Sequence, residues 1–349
     1  MLRVAYDVTA VTDSPFGGVA QVSINTLDQA RKHPDIEPVA YYRSGALSGA
    51  PAGLEAARKH RPWHRFFSEP CDITHSLCHR TLGISARKHV YTVYDTWSLV
   101  SNPYQPPAFQ AKVGRRLRRE ITTADVVVAI SGATRASLIE MGLVDRQKCR
   151  VAHLGYTLPA DVSAGGSPRL AALTKKKYVL FVGCLEVRKN LGHVIDAVKP
   201  LSGVELVIAG HPGYGYHDRV RPRLAELDRD RLHLVNVVTR DELAVLYRHA
   251  AATLLPSWEE GFGLPILEAM ANGCPVITSN RSANAEIGAP AAILVEPENP
   301  AQSREAIEKL TEDAAYRESI VARGRERAAG FSWEKYFDQL VGIYRETLS

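Results

Sequence analysis

Two glutamates, Glu260 and Glu268, bracket a glycine-rich turn in the run Pro-Ser-Trp-Glu-Glu-Gly-Phe-Gly-Leu-Pro-Ile-Leu-Glu-Ala-Met at residues 256–270. The apolar residues 251–255 before it read as a short buried strand. Pro265 suits the first turn of a helix, where its fixed φ fits and its missing N–H costs nothing. Strand, turn (Gly261, Phe262, Gly263) and helix start (Leu264) then form an anion site, because free backbone N–H groups and the positive helix end point at one spot. Glycine lets a diphosphate come close to the backbone there. Carboxylates do not bind phosphate, so two of them flanking a phosphate turn imply a ligand with hydroxyls at both ends. Glu260, before the turn, is placed to meet a sugar hydroxyl; Glu268, one turn into the helix, is placed to reach a ribose diol. A nucleotide sugar has that layout.

A second charged element stands upstream. Residues 181–190 read as strand, loop and helix start, with Arg188 and Lys189 just before the helix. Cations beside a positive helix end are accounted for by a bound anion; the alternative is a solvated basic pair. Next to a diphosphate they would offset the charge that builds on a leaving group, usually a large catalytic term. The loop Gly-His-Pro-Gly-Tyr-Gly-Tyr at 210–216 lacks the G-x-G-x-x-G spacing, and no acid ends the following strand, which excludes NAD binding.

In the first half of the chain, Phe16-Gly17-Gly18 opens a helix, either as a plain turn or to admit a phosphate or sugar. Tyr94 and Asp95 end one strand, Ser131 follows another, and all three are expected to line a ligand cleft. Cys71, His75, Cys78 and His79 match no zinc-ligand spacing, so no metal is expected and His75 alone is taken to face the cleft.

Elements of the right kind surround these residues. Strand signals at 2–8, 39–42, 72–75, 89–94, 126–130 and 151–153 alternate with helices starting at Gly17-Gly18 and at 107–123 and 133–141. Residues 158–174, rich in Ala, Gly, Ser and Pro, break the pattern as a linker. It restarts with strands at 178–182, 205–209, 232–235, 251–255, 276–278 and 292–295, and helices at 191–198, 220–227, 241–248, 265–270 and 300–310. Alternation predicts an α/β chain of two doubly wound, Rossmann-like parallel-sheet domains, binding ligands beyond the carboxyl ends of the strands. We divide them as 1–160 and 161–331, with a terminal helix over 332–349 whose apolar Trp333, Tyr336, Phe337, Leu340, Val341 and Tyr344 follow a Ser332 N-cap. Periodicity alone leaves that helix free to pack on either domain.

The whole chain sets bounds. Its 349 residues, 45% hydrophobic and 23% charged, suit two soluble globular domains. No run approaches the roughly 20 apolar residues of a membrane span, no N-terminal stretch pairs a basic start with a long apolar segment, and the expected location is the cytoplasm. Five irregularly spaced cysteines read as reduced thiols. A net charge of +5 carries no specific signal for nucleic acid. Arg115, Arg116, Arg118 and Arg119 lie on a helix opposite an apolar stripe of Phe109, Val113, Leu117 and Ile121. Such a face is either solvated or meets anionic lipid or a lipid-linked diphosphate.

The run around Glu260 and Glu268, followed by Asn272-Gly273-Cys274-Pro275-Val276-Ile277, resembles the E-x7-E signature of retaining glycosyltransferases with the GT-B fold. The Arg188-Lys189-Asn190 run is similar to the R-K-N element of the same family, which includes bacterial mannosyl- and glucosyltransferases of envelope polysaccharides (group 1 glycosyltransferases). The resemblance implies two domains facing a cleft, with the terminal helix crossing back to the first domain. It implies a metal-independent hexosyltransferase without cofactor, in which Arg188, Lys189 and the helix end stabilise the departing diphosphate, Glu260 holds donor-sugar hydroxyls and Glu268 the ribose. Backbone at Val237 and Val238, within Asn236-Val-Val-Thr239, falls where the family contacts the nucleobase. GDP-mannose is the favoured donor, ahead of UDP- or dTDP-sugars, and the acceptor a glycan or lipid-linked glycan, with peripheral contact at the inner membrane face. This chain has Cys184 where the family often has Arg, and Tyr94-Asp95 where it usually has His-Asp, so roles that need imidazole fall to Asp95 or His75. Two alternatives stand beside this reading. One is a catalytically silent scaffold that binds nucleotide sugar; the other is a GT-B phosphorylase, for which no pyridoxal-binding lysine stands out.

Overall fold

A computed structural model describes residues 1–13, 17–43, 57–60, 69–78, 81, 83–158 and 169–349. The chain divides into two compact units, one of Met1–Ser101, Pro106–Gly155 and Ser332–Ser349, the other of Asn102–Gln105 and Tyr156–Phe331. Most of the expected linker, 159–168, and the expected domain border within it lie outside the described residues.

The first unit runs β1 (Leu2–Asp7), α1 (Ala10–Asp13), α2 (Gly18–Lys32), β2 (Ile36–Tyr42), β3 (Arg58–Lys59), β4 (Cys71–Ser76), β5 (Ala86–Val93), α3 (Pro107–Thr123), β6 (Val126–Ala129), α4 (Gly132–Glu140) and β7 (Cys149–Val151). Among the described residues its strands form one parallel sheet in the order β3-β2-β1-β4-β5-β6-β7. The second unit runs β8 (Tyr178–Val182), α5 (Leu191–Val198), β9 (Glu205–Ala209), α6 (Arg221–Leu224), β10 (Leu232–Asn236), α7 (Arg240–His249), β11 (Ala252–Leu255), α8 (Leu264–Ala271), β12 (Val276–Ser279), α9 (Ser282–Gly288), β13 (Ile293–Val295), α10 (Pro300–Glu312) and α11 (Ala314–Ala329). Its described strands are again all parallel, in the order β10-β9-β8-β11-β12-β13. Both orders reverse beside the first strand of the unit, which is the doubly wound pattern expected from the sequence.

Central strands such as β8, Tyr-Val-Leu-Phe-Val, and β11, Ala-Thr-Leu-Leu, are buried at every residue, as strands covered by helices on both faces must be. Helix starts are held by side-chain caps: Ser131 on α4, Asp313 on α11, and Thr239 with Glu242 in a reciprocal capping box on α7. The terminal helix α12 (Trp333–Leu348), capped by Ser332, belongs to the first unit, where it packs on α2 and β5 with Tyr336, Phe337, Leu340 and Tyr344 buried.

Several features depart from expectation, among them the helices α1 and α9. A π-helical turn, Tyr216–Val220, and the short α6 replace one continuous helix over 220–227. Helix α11, packed on α8, and the two-residue β3 were not expected at all. On α3, Leu117 and Ile121 are buried but Phe109 is 51% exposed, so the apolar stripe does not reach the first turn.

Candidate functional site

Adjacent parallel strands β8 and β11 end side by side at the point where the second sheet's order reverses, and the loops that follow them are stitched together. After β8 a short 3₁₀ turn, Val187–Lys189, leads into Asn190, whose φ of 56° places it in the left-handed region that Asn tolerates. Its amide Nδ2 donates to the carbonyls of Pro256 (3.1 Å) and Pro297 (2.8 Å), which fixes the turn against the loop after β11. Trp258 N–H donates to the Arg188 carbonyl at 3.0 Å. Arg188 Nη1 in turn donates to the Glu259 carbonyl at 2.8 Å.

This scaffold brings four charges into contact. Glu260 forms an ion pair with Arg188 Nη1 at 2.9 Å and accepts from Lys189 Nζ at 2.5 Å. Glu186, a residue the sequence reading passed over, pairs with the other arm of Arg188. The side chains of Arg188, Lys189 and Glu260 are 7%, 13% and 11% exposed, so solvent screens these pairs little. Burial pushes the Glu260 carboxyl up, but Arg188, Lys189 and the hydroxyl of Ser257 overcome it and hold the group at about 2. Glu260 is therefore ionised at any physiological pH.

Helix α8 begins beside this quartet. Gly263 is its N-cap at φ +96° and has no side chain to cap the first turn, while Pro265 sits within that turn. The positive φ favours glycine at Gly263, and an added Cβ would meet the side-chain ends Ile266 Cδ1 at 2.9 Å and Asn284 Oδ1 at 3.2 Å, which would have to shift. Phe262 is buried, with its ring set edge-on against Phe331. One turn on, the half-buried Glu268 accepts from the Tyr247 hydroxyl at 3.2 Å. Burial raises its carboxyl above the ordinary range, with Tyr247 and the charge of Arg240 pulling the other way. The two acids of one motif are thus driven in opposite directions by their surroundings. Val237 and Val238 follow β10, with Val237 57% exposed. Cys184 lies beside His211, its Sγ 3.7 Å from Nδ1.

Two of the first-unit candidates, His75 and Ser131, are placed differently from expectation. His75 is 1% exposed and closed off from solvent; its Nδ1 lies 2.6 Å from the Tyr344 hydroxyl of α12 and its Nε2 2.7 Å from Thr92 Oγ1. Burial, with His89 nearby, lowers its pKa to about 3, so it stays neutral. Ser131 is fully buried as the cap of α4, accepting from Thr134 N–H at 3.0 Å. Tyr94 is half-buried and donates to the Leu77 carbonyl at 3.0 Å, and Asp95 accepts from Trp97 N–H at 3.2 Å. Gly17 caps α2 with extended backbone, and a Cβ at Gly18 would meet nothing within 4 Å. Of the sequence cluster of cysteines and histidines, Cys78 Sγ donates to Asp7 Oδ2 at 3.0 Å, Cys71 Sγ reaches the Glu69 carbonyl, and His79 lies outside the described residues. Among the described residues no group of three His, Cys, Asp or Glu could hold a metal ion.

Glu186, Asn190, Tyr247 and Ser257 were given no role in the sequence reading. Glu186 carried a faint signal, since an acid two residues before a buried arginine is placed to satisfy it. Asn190 and Ser257 become visible only when the loops after β8 and β11 are brought together, and Tyr247 only when α7 packs on α8.

Two parallel doubly wound units, with basic residues, a glycine turn and a helix start gathered at one switch point, define a GT-B glycosyltransferase fold. Residues 167–327 match the family model described as glycosyl transferases group 1. The chain is 27% identical over 269 residues to an O-antigen chain mannosyltransferase B from Escherichia coli, covering 73% of this chain and 70% of that one. It is 29% identical over 254 residues to a D-inositol 3-phosphate glycosyltransferase from Kineococcus radiotolerans, covering 65% of this chain and 58%, less than two thirds, of that relative's length. Its fold is like that of Anabaena Alr3699/HepE in complex with UDP-glucose, with a TM-score of 0.77 and 17% identity over 99% of this chain and all of that one.

Proposed function

We propose that this chain transfers a hexose, mannose in the favoured case, from a nucleoside diphosphate sugar to a glycan or lipid-linked glycan, with retention at the anomeric carbon. The observation that carries the reading is the contact of Arg188, Lys189 and Glu260 beside the Gly263-capped start of α8. In the reaction the bond between the anomeric carbon and the diphosphate oxygen breaks, and the acceptor hydroxyl bonds to that carbon from the same face. The departing phosphate oxygen takes the acceptor's proton, so no separate base is required. Arg188, Lys189 and the helix end offset the charge that grows on the leaving group, in place of a metal. Glu260 holds donor-sugar hydroxyls, and Glu268, steadied by Tyr247, holds the ribose.

Mannose is supported by the Escherichia coli relative, and nucleotide-sugar binding by the fold's likeness to a protein seen with UDP-glucose. The acceptor's attachment to lipid is supported by Phe109, Lys112 and Arg115, all exposed on α3. No helix among the described residues is long and apolar enough to cross a membrane, so the contact we propose is peripheral, at the inner face.

The test follows nucleotide release by chromatography from GDP-mannose, UDP-glucose and a dTDP-sugar with candidate acceptors. Acceptor-dependent release from one donor is expected, falling on the order of 10²–10³-fold in Lys189→Ala. Tight binding of every donor without turnover would make the chain a binding scaffold instead.

A further inference from the structure

We propose that Glu260 makes this site prefer a nucleotide that still carries its sugar over the nucleoside diphosphate left after transfer. The inference rests on the reading above, in which Arg188 and Lys189 hold the diphosphate. Both cations are already engaged by protein carboxylates: Glu186 and Glu260 on Arg188, and Glu260 on Lys189. Two positive and two negative side chains sum to zero. A diphosphate that binds this quartet shares its two cations with Glu260, so less of their positive charge is left to the carboxylate even where Lys189, with three N–H donors, reaches both. The carboxylate has little water to turn to, because its side chain is 11% exposed.

What then satisfies Glu260 depends on the ligand. A hexose beside the diphosphate presents hydroxyls that donate to the carboxylate as the cations turn to phosphate. A bare nucleoside diphosphate offers no such donor and brings a second anion close to the first, which disfavours both. Each exchange is balanced for the donor and unbalanced for the product. The same carboxylate that orients the sugar thereby assists the exit of the diphosphate. Glu186 serves as an internal control, since it bears the same charge on the same arginine but stands before the 3₁₀ turn rather than beside the glycine turn and α8.

Calorimetric titration of the full chain with GDP and GDP-mannose, and with UDP and UDP-glucose, tests this without acceptor present. For the nucleotide used, wild type is expected to bind the nucleotide sugar about tenfold more tightly than the diphosphate, the worth of one charged hydrogen bond. Glu260→Gln should tighten the diphosphate and weaken the nucleotide sugar, bringing the ratio to about one or below. Glu186→Gln should move both ligands in the same direction and leave the ratio unchanged. A ratio near one in wild type overturns the proposal without any variant, and so does an equal shift of both ligands in Glu260→Gln. Lys189→Ala separates the two levels of argument. If it leaves binding of both ligands intact, the phosphate reading itself fails; if it weakens both while Glu260→Gln does not change their ratio, the present inference alone fails.

Discussion

The carboxyl ends of the two sheets use their polar side chains in different ways. In the first unit they are tied into the interior. Asp7 accepts from Thr9 and from Cys78, and burial raises its carboxyl; His75 is neutral between Tyr344 and Thr92; Ser131 is closed over the start of α4. In the second unit the polar groups are ions. Arg188, Lys189, Glu186 and Glu260 are in contact at the switch point, and the two cations hold Glu260 at about 2 despite burial. In the function we propose, the difference separates stability from chemistry. A neutral hydrogen bond in a core has one satisfactory partner, whereas a cluster of paired charges can exchange one anion for another and so admit a ligand.

His75→Ala breaks this comparison if it is wrong. The substitution removes both ring nitrogens, leaving the Tyr344 and Thr92 hydroxyls to find new partners, and opens a cavity among β4, β5 and α12. A loss of roughly 2–4 kcal/mol is expected, read as a lower unfolding midpoint in denaturant. Donor affinity measured well below that midpoint should match wild type. A variant of wild-type stability that no longer transfers sugar would return His75 to the reacting groups.

A smaller effect sharpens the same contrast from the other unit. Gly263 caps α8 at φ +96°, and an added Cβ would press on Ile266 and Asn284. Gly263→Ala should cost roughly 1–2 kcal/mol through the left-handed backbone alone. It should also raise the KM for the donor, since it distorts the helix start that the diphosphate is proposed to meet. Unchanged KM in a destabilised variant would detach the glycine turn from phosphate binding.

How far these placements were legible in the sequence follows from what each element depends on. Strands β8 and β9, α3 and α5 fall on their predicted residues, because a parallel core strand is a continuous apolar run and a buried helix carries its own period. Helix α11 was not legible: its buried stripe is Ile320, Gly324 and Ala328, small residues with a glycine in a helix interior, and only its packing on α8 gives it a reason to be helical. The glutamates, the basic pair and the glycine turn were legible because phosphate and hydroxyl recognition constrain residue type and spacing together. Which polar residues at a strand end face outward was not. The pattern of β4 marks His75 as one of alternate positions but cannot show that Tyr344, 269 residues away, comes to meet it. Nor does a basic pair reveal that carboxylates already hold it, since Glu186 and Glu260 reach Arg188 from two different loops.

The smallest expected effect has the opposite sign in stability. Gly18 is the first residue of α2, is exposed, does not have positive φ, and a Cβ added to it would meet nothing within 4 Å. Neither conformation nor local packing in the first unit therefore calls for glycine, and alanine is the better helix former. Gly18→Ala should stabilise by about 0.5–1 kcal/mol. A glycine kept where alanine would fold better is explained if the open space above it is used, and in our reading a phosphate or sugar uses it. The same variant should then melt higher and show a raised KM for donor or acceptor. If it melts higher and transfers as well as wild type, Gly17 and Gly18 form a plain turn, and the chemistry legible in this chain lies wholly in its second unit.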